Sequence, residues 1–194
     1  MPLSQEHKKR SRKKILDSAV KLFADRGFNS VSIDEVMNNA EMTRGAFYGH
    51  FSSKSELYKE SISNAAINTN LAKQKPEGIE NQEWINRLLD GYLSKDHINL
   101  KGDPCPIAFL SLDATVKETD VRDAYTTTFK NMNKRIAGFT ESYSTCSENQ
   151  ILAVTAMMVG GVAIARTLND EEMKNKLLES CKEISKKMLS GEYR

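Results

Sequence analysis

The chain has 194 residues, 39% of them hydrophobic and 28% charged, which indicates a globular protein of one domain or two small ones rather than a disordered chain. Three cysteines lie far apart, without the paired spacing of zinc ligands, which argues against a disulfide framework and a structural metal site. No apolar N-terminal stretch resembles a secretory signal, and the longest mostly apolar run, 151–165, is too short to span a bilayer. We therefore expect a soluble cytoplasmic protein with no membrane partner.

The net charge of +2 hides an uneven distribution along the chain. Up to Lys54, ten Lys and Arg stand against six Asp and Glu, whereas eighteen stand against twenty after it. The densest cluster is HKKRSRKK, residues 7–14, in which six of eight side chains are cations. Such a basic N-terminal arm either is simply solvated or binds a polyanion, and the cluster alone leaves both interpretations open.

Apolar residues recur at helical spacing through most of the chain and no strand pattern is convincing, so we predict an all-α fold. The first helix carries an apolar face formed by Ile15, Ala19, Leu22 and Phe23. It is expected to end at Gly27, because glycine readily adopts the left-handed conformation that closes a helix.

Two short helices and a longer one are predicted next. Ser32 can cap the second helix, since its hydroxyl can accept a backbone N–H bond, and Asp34 and Glu35 then lie in the positive first turn. Thr43 is the next cap candidate and opens a short helix that runs to about residue 49. A long helix begins near residue 55 or 56. This order of elements is a helix-turn-helix arrangement.

The third helix has the composition of a DNA recognition helix. Small residues, among them Gly45, let its backbone approach the major groove, while Thr43 and Arg44 at its N-terminal end can reach base edges. Phe47 and Phe51, four residues apart, are interpreted as the inward anchors that hold this helix on the first one. A purely structural alternative for Arg44 is an ion pair with the nearby carboxylate at position 41.

Three further side chains can donate hydrogen bonds to phosphate oxygens: Tyr48, His50 and Lys54. Such contacts set the register of a protein on DNA without reading its sequence. Each residue also has a simpler interpretation, because Tyr48 can be a packing ring, His50 a surface or cap residue and Lys54 a solvated cation.

The segments ILDSAVKLFADRGFNSVSIDEVMNNA and TRGAFYGHFSSKSELY together resemble the DNA-binding domain of the tetracycline-repressor-like (TetR) family of bacterial transcriptional regulators, over roughly residues 10–60. The most specific parts are the Phe-Ala-x-x-Gly pattern at 23–27 and the Tyr-x-His-Phe-x-x-Lys pattern at 48–54. The resemblance implies an all-helical homodimer in which three N-terminal helices bind double-stranded operator DNA and a larger C-terminal bundle holds the effector pocket and the dimer interface.

The resemblance also implies roles for single residues. The positions of Ser32, Tyr48, His50 and Lys54 contact phosphates in that family, and the start of the recognition helix, here 43–45, reads bases. Two positions differ from the family pattern, because Glu41 stands where glycine is usual and residue 31 is valine instead of threonine. A non-glycine residue in a left-handed turn costs roughly 1 kcal/mol, so we expect a reshaped turn in which the residue at 39 takes part of the strain.

Residues 1–54 are predicted to form the helix-turn-helix domain with its basic arm, and residues 55–194 the helical effector-binding and dimerisation domain. In the second domain an apolar stripe at helical spacing consists of Met173, Leu177, Cys181, Ile184 and Met188. The run 151–165 is apolar nearly all round, and its pair of glycines at 160–161 permits close backbone approach. Two such helices from each protomer would form a four-helix dimer interface suited to a palindromic operator. The alternative is the core of a monomeric bundle.

The sequence gives less evidence for effector contacts than for DNA contacts. Five aromatic residues are predicted to line a mostly apolar cavity, although plain core packing explains them equally: Trp84, Tyr92, Phe109, Tyr125 and Phe129. Cys105 precedes Pro106, which suits the first position of a helix, so the helix dipole would favour a reactive thiolate at Cys105. Cys105 is therefore a candidate sensor of oxidants or electrophiles, with a buried packing residue as the alternative.

The function that joins these features is a ligand- or redox-responsive transcriptional regulator, most simply a repressor that is released when a small apolar or electrophilic effector shifts the fourth helix. An architectural DNA-binding protein without an effector is the alternative. An enzyme is disfavoured, because none of the three histidines, His7, His50 and His97, stands in a nucleophile, metal or phosphate-loop motif. No cofactor or metal is expected.

Overall fold

The structure is a computed structural model that describes residues 5–68, 75–101, 104–111, 113 and 119–192, with the backbone alone at 64–68. All regular structure in these ranges is helical, which confirms the all-α prediction. In chain order the helices are α1 (Gln5–Arg26), α2 (Ile33–Asn39), α3 (Arg44–Phe47), α4 (Lys54–Asn68), α5 (Asn81–Tyr92), α6 (Lys95–Ile98), α7 (Pro106–Phe109), α8 (Thr119–Thr140), α9 (Glu148–Thr167) and α10 (Glu171–Ser190).

Helices α1 to α3 form a small N-terminal unit around an aromatic core. Phe23, Phe47 and Phe51 are all at most 2% exposed, so the prediction that Phe47 and Phe51 anchor the third helix is confirmed. A buried hydrogen bond also links α1 to α2, because Ser18 Oγ donates to the carbonyl of Val36 at 2.8 Å. The N-terminal unit therefore holds α3 in one orientation relative to α1.

The N-terminal basic cluster is helical. It was predicted as an arm, but α1 already begins at Gln5, so the cations of 7–14 belong to its first turns. Arg12 is the inward member, because its guanidinium pairs with Glu60 of α4 and lies 4.5 Å from the ring centre of Phe51. The remaining lysines and arginines of the cluster point to solvent.

The turn between α2 and α3 differs from the expected one. Glu41 itself adopts the left-handed conformation, with φ of 58°. The expectation that Asn39 takes part of the strain is wrong, because Asn39 ends α2 in helical geometry and its amide donates to Ser18 Oγ at 2.9 Å. Gly27 behaves as predicted and closes α1 with φ of 74°.

The fourth helix starts one or two residues earlier than expected, at Lys54. Ser53 Oγ accepts from the N–H of Glu56 at 3.0 Å and so caps its first turn. The predicted domain boundary after residue 54 therefore falls inside α4, and the division into two domains stays a prediction. Helix α4 packs on α1 on one side and on α8 on the other, which makes it the main mechanical link between the two halves.

The C-terminal half is a bundle in which α9 packs most extensively on α10, while α5 and α7 contact both long helices α8 and α9. Gly161 permits the close approach of α9 and α10, because a Cβ atom there would lie 3.2 Å from Sγ of Cys181. The predicted stripe on α10 is only partly buried: Met173 is 49% exposed, whereas the most deeply buried apolar residues of the helix are Leu178 and Leu189, outside the stripe.

Helix α9 is longer than its apolar run indicated. At 20 residues, Glu148–Thr167 is long and apolar enough to cross a membrane by length and composition alone, so the expectation that this segment is too short is wrong. Core helices of globular proteins meet the same criterion, and the buried face of α9 packs against α7, α8 and α10. Only 39% of its most apolar window is buried, so a large part of this helix is not covered by the described residues.

Candidate nucleic-acid interface and effector region

The N-terminal end of α3 is polar and exposed to solvent, whereas the ring of Phe47 at its C-terminal end is buried. Thr43 occupies the position before the helix, but its side chain makes no capping hydrogen bond, so the prediction that it caps the helix is wrong. Thr43, Arg44 and Gly45 are exposed, and a Cβ atom at Gly45 would meet nothing within 4 Å. Because Phe47 is fully buried one turn later, this exposed end is held rigidly and has room to approach a groove.

Arg44 has a carboxylate partner, but not the one considered from sequence. Its Nη1 donates to Oδ2 of Asp34 at 2.6 Å, and the two side chains are 63% and 49% exposed. Glu41 is not that partner. Since exposed ion pairs are worth about 0 to 1 kcal/mol, Arg44 can exchange Asp34 for another acceptor at low cost.

Tyr48 and His50 lie just after α3. Tyr48 is 60% exposed and touches Phe47 only with an edge-to-face contact at 5.2 Å, so it is not a half-buried packing ring. His50 is half-buried, and burial lowers its pKa, with further lowering by the nearby charges of Lys8 and Arg12. Its Nδ1 is buried without a hydrogen-bond partner among the described residues. A phosphate that approaches His50 would offset the charges of Lys8 and Arg12 and favour the protonated imidazole, which can donate a hydrogen bond to a phosphate oxygen.

Lys54 is the first residue of α4, and Ser32 is the residue before α2. The Lys54 ammonium lies 4.2 Å from the ring centre of Phe28, which holds the lysine stem in place. Ser32 forms a complete capping box with Glu35, in which Ser32 Oγ accepts from the Glu35 N–H at 3.1 Å and the Ser32 N–H donates to the Glu35 carboxylate at 2.8 Å. The backbone and side-chain hydrogen bonds from Ser32, together with Arg26, lower the pKa of Glu35 to about 2. A phosphate at Ser32 would therefore compete with an ionised carboxylate.

Lys8 also contributes to this surface, although the sequence alone does not distinguish it from the other cations of the basic cluster. The structure places its charge close enough to His50 to lower the pKa of the imidazole. The signal was present in the basic cluster, but only the helical continuation of α1 to Gln5 shows which of its cations face α3.

Four of the six predicted effector residues come together around His97. The His97 ring lies 4.6 Å from that of Tyr92 and 5.2 Å from that of Phe109, measured between centres. Its Nε2 accepts from the N–H of Cys105 at 3.2 Å, so its Nδ1 carries the proton and donates to the Tyr92 carbonyl at 2.7 Å. Tyr125 closes the group, because its hydroxyl donates to the carbonyl of residue 107 at 2.8 Å. We call these residues the His97 cluster.

Cys105 occupies the expected position before Pro106, but its chemistry is not the expected one. The thiol is 5% exposed, and burial raises its pKa, which hydrogen bonds from Tyr92 and the first N–H groups of α7 only partly offset. The prediction of a lowered thiol pKa is therefore wrong. Helix α7 has only four residues and its dipole is too small to outweigh the loss of solvent around the sulfur.

The other two predicted effector residues lie elsewhere. Trp84 is half-buried against the core, and its indole N–H has no partner among the described residues. Phe129 lines an open cleft of about 520 Å³ between α8 and α9. Apolar side chains in this cleft include Phe129, Ala137, Ile151 and Leu152, and the charged ones are Lys130, Lys134, Glu141 and Glu148. No group of acidic, histidine and cysteine side chains in the described residues has the arrangement of a metal site.

Residues 15–61 match the family model described as bacterial regulatory proteins, tetR family. The chain carries a tetR-family DNA-binding domain. Its sequence is 40% identical over 57 residues to the HTH-type transcriptional regulator AcrR of Shigella flexneri, covering 29% of this chain and 26% of that protein. It is 29% identical over 51 residues to IcaR of Staphylococcus epidermidis, a negative transcriptional regulator of a biofilm operon, covering 26% of this chain and 28% of IcaR. The matches thus span little more than a quarter of these relatives.

The likeness in fold extends over nearly the whole chain. The structure of the reduced form of Escherichia coli NemR superimposes with a TM-score of 0.69, covering 90% of this chain and 96% of NemR at 21% identity. The C-terminal bundle therefore shares its fold with a solved structure. Every predicted DNA-contact residue lies inside the segment 15–61, whereas the His97 cluster and the cleft lie outside it.

Proposed function

We propose that the chain is a homodimeric transcriptional regulator that binds a palindromic operator and acts as a repressor. The observation that carries this proposal is the exposed polar end of α3, at Thr43, Arg44 and Gly45, mounted on the buried ring of Phe47. The tetR-family match supports the DNA-binding role, and the name of IcaR as a negative regulator supports repression. A protein with this role works in the cytoplasm and needs no enzymatic activity.

In the proposed complex, base reading and phosphate binding belong to different residues. Thr43 and Arg44 face the base edges of the major groove, and Gly45 lets the helix backbone come close. Tyr48, His50 and Lys54 hold the DNA backbone on the flanks. Ser32 contributes a further phosphate contact at the start of α2.

The proposed dimer uses the uncovered faces of α9 and α10. Leu152 and Ile164 of α9 are 41% and 51% exposed, and Met173 of α10 is 49% exposed. A Cβ atom at Gly160 would meet nothing within 4 Å, so the backbone of a partner helix can approach there. Burial of these side chains against a second copy follows from the cost of leaving large apolar groups in water.

The proposed effector is a small, largely apolar molecule that occupies the cleft beside Phe129. Helix α8 forms one wall of the cleft and also packs on α4, whose first residue follows the recognition segment directly. An occupant that binds one position of α8 more tightly shifts α4 and thereby the separation of the two recognition helices. Operator affinity then falls by the difference in effector affinity between the two states.

The DNA-binding part is tested by selecting bound fragments from random DNA with the full chain. We expect a palindromic site with half-sites about 34 to 36 Å apart. Steep salt dependence without any sequence preference would instead favour the architectural alternative. Arg87→Ala is a matched control for Arg44→Ala, because Arg87 is 56% exposed and also pairs with a carboxylate at 2.6 Å, but lies on α5. Only Arg44→Ala should alter the selected site.

The dimer is tested by sedimentation of Ile164→Asp, which should be monomeric at concentrations where the unchanged protein is dimeric. Thr127→Asp, at an exposed position of α8, is the control and should stay dimeric. If the unchanged protein sediments as a monomer, the proposed dimer is refuted.

The effector site is tested with 8-anilino-1-naphthalenesulfonate, an apolar anion whose fluorescence rises in apolar clefts. Ala137→Trp fills the cleft and should abolish the binding of this probe, whereas Ala153→Trp, on α9 but outside the lining, should keep it. Equal probe binding by both variants would contradict an effector site between α8 and α9.

A further inference from the structure

Two charged side chains from the other half of the chain form hydrogen bonds with the C-terminal end of α1 and the turn that follows it. Arg166 of α9 donates through Nη1 to the carbonyl of Ala24 at 2.7 Å. The carboxylate of Asp113 accepts from the N–H of Phe28 at 2.6 Å. Both partners on α1 and in its following turn are backbone groups, so these contacts do not depend on any side chain of the DNA-binding unit.

If α1 continued for one more residue, the Phe28 N–H would donate a hydrogen bond to the Ala24 carbonyl. In an α-helix the N–H of residue 28 bonds to the carbonyl of residue 24. Gly27 prevents this bond, because its φ of 74° turns the chain out of the helix, and the preceding bond, from the Gly27 N–H to Phe23, is the last one. Arg166 therefore supplies the missing donor and Asp113 the missing acceptor, and their charges make these hydrogen bonds stronger than bonds between neutral groups.

The fit at this point is close. A Cβ atom on Gly27 would lie 3.3 Å from Oδ2 of Asp113. The same carboxylate oxygen lies 3.4 Å from the hydroxyl of Tyr58, a fully buried residue of α4 whose ring packs edge-to-face on Phe28 at 4.9 Å. Asp113 thus joins the α1–α2 turn to α4.

On the other side, Arg166 joins the turn to the dimer helix and to the His97 cluster. Its guanidinium carbon lies 4.4 Å from the ring centre of Phe109, which in turn packs edge-to-face on His97. Arg166 lies two residues after Ile164, a residue on the uncovered face of α9. One side chain therefore spans from the proposed dimer helix to the last turn of α1.

We propose that Arg166 and Asp113 form an interdomain clamp that fixes the orientation of each DNA-binding unit relative to the dimer helices, and so restricts the protein to one half-site spacing. This inference rests on the proposed function, since spacing has meaning only for a DNA-bound dimer. The two residues are positioning residues, because they touch neither base nor phosphate and act through the backbone of the α1–α2 turn.

The first test is hydrogen exchange of the full chain, which requires neither DNA nor a dimer. In Arg166→Gln and Asp113→Asn the amides of 27–31 should exchange at least about tenfold faster than in the unchanged protein, while the amides in the middle of α9 and α10 keep their rates. Lys186→Gln is the control, because it removes a contact of similar length, 2.7 Å from Lys186 to Asp90, within the C-terminal bundle. Unchanged exchange at 27–31 in both clamp variants would overturn the proposal.

The second test compares the selected operator with versions in which the half-site spacing differs by one base pair. The unchanged protein and Lys186→Gln should prefer the original spacing by about fivefold or more, the factor expected for one lost base contact. Arg166→Gln and Asp113→Asn should lose most of that preference, and Arg166→Lys should recover part of it because it keeps a cationic donor. Full preference in the clamp variants would refute the proposal.

The two tests separate the inference from the proposed function. If the unchanged protein binds no DNA or is monomeric, the proposed function fails, and hydrogen exchange alone decides whether the clamp exists. A general loss of stability cannot imitate the expected result, because it would raise exchange throughout the chain and weaken binding to all spacings equally.

Discussion

Replacing Arg44 with alanine is the most direct perturbation of the proposed base reading. A bidentate arginine contact to guanine contributes about 1 to 3 kcal/mol of discrimination against the wrong base. In the free protein Arg44 pairs with Asp34 at 2.6 Å, and breaking an exposed ion pair of this kind costs about 0.2 to 1 kcal/mol. Because the cost applies to every DNA sequence, it lowers affinity overall but leaves discrimination at the full 1 to 3 kcal/mol.

The assay is a fluorescence-anisotropy titration of the selected operator and of single-base variants, at several salt concentrations. Arg44→Ala should lower discrimination at one base pair by about 5-fold to 150-fold, whereas Lys54→Ala should weaken all sequences about equally and reduce the salt slope by about one. Asp34→Asn frees Arg44 and should raise affinity for operator and non-operator DNA alike. If Arg44→Ala and Lys54→Ala had the same effect on every base variant, the division between base reading and phosphate binding would be refuted.

Three further predictions concern stability and reactivity. Phe47→Ala should lower the free energy of unfolding by about 3 to 5 kcal/mol, because the ring is fully buried, whereas Tyr48→Ala should lower it by less than about 1 kcal/mol; urea denaturation measures both. Burial lowers the pKa of His97 in the folded state, so the unfolded chain takes up this proton at higher pH, and the free energy of unfolding should fall as pH drops below about 6.5. His97→Gln should remove that part of the pH dependence, and an unaltered slope between about pH 7 and 5 would contradict it. Because Cys105 is only 5% exposed, whereas Cys146 and Cys181 are partly exposed, iodoacetamide should modify Cys105 more slowly than the other two cysteines, as followed by mass spectrometry; fastest labelling at Cys105 would restore the sensor hypothesis.

The sequence predicted several local features of the N-terminal unit correctly, although not the behaviour of Thr43 or Asn39. Ser32 and Glu35 are three residues apart, so their capping box needs only the helix they begin. Phe47 and Phe51 face the core because they are four residues apart, and Gly27 takes positive φ because it has no side chain to oppose it. Each of these outcomes depends on neighbours within one helical turn, which the sequence displays directly.

The partners of charged and reactive groups could not be obtained this way. Arg44 pairs with Asp34, ten residues away, although Glu41 is nearer in the sequence. The position of Cys105 before Pro106 was correct, but the pKa of its thiol depends on how much of the chain surrounds it. Desolvation is a property of the packed interior, so it outweighed the local helix effect that the sequence indicated.

By itself, therefore, the sequence determined the approximate position of several helices, which of their faces are apolar, and which short segment has the form of a DNA recognition helix, but it misplaced the starts of α1 and α4. Only the tertiary structure decided that Arg166 reaches the carbonyl of Ala24 across 142 positions of the chain, and that much of α9 stays exposed among the described residues. The physical reason is the distance along the chain over which each interaction acts. Capping and periodicity act through hydrogen bonds and side chains a turn apart, whereas burial and ion pairing depend on which distant segments the fold brings into contact.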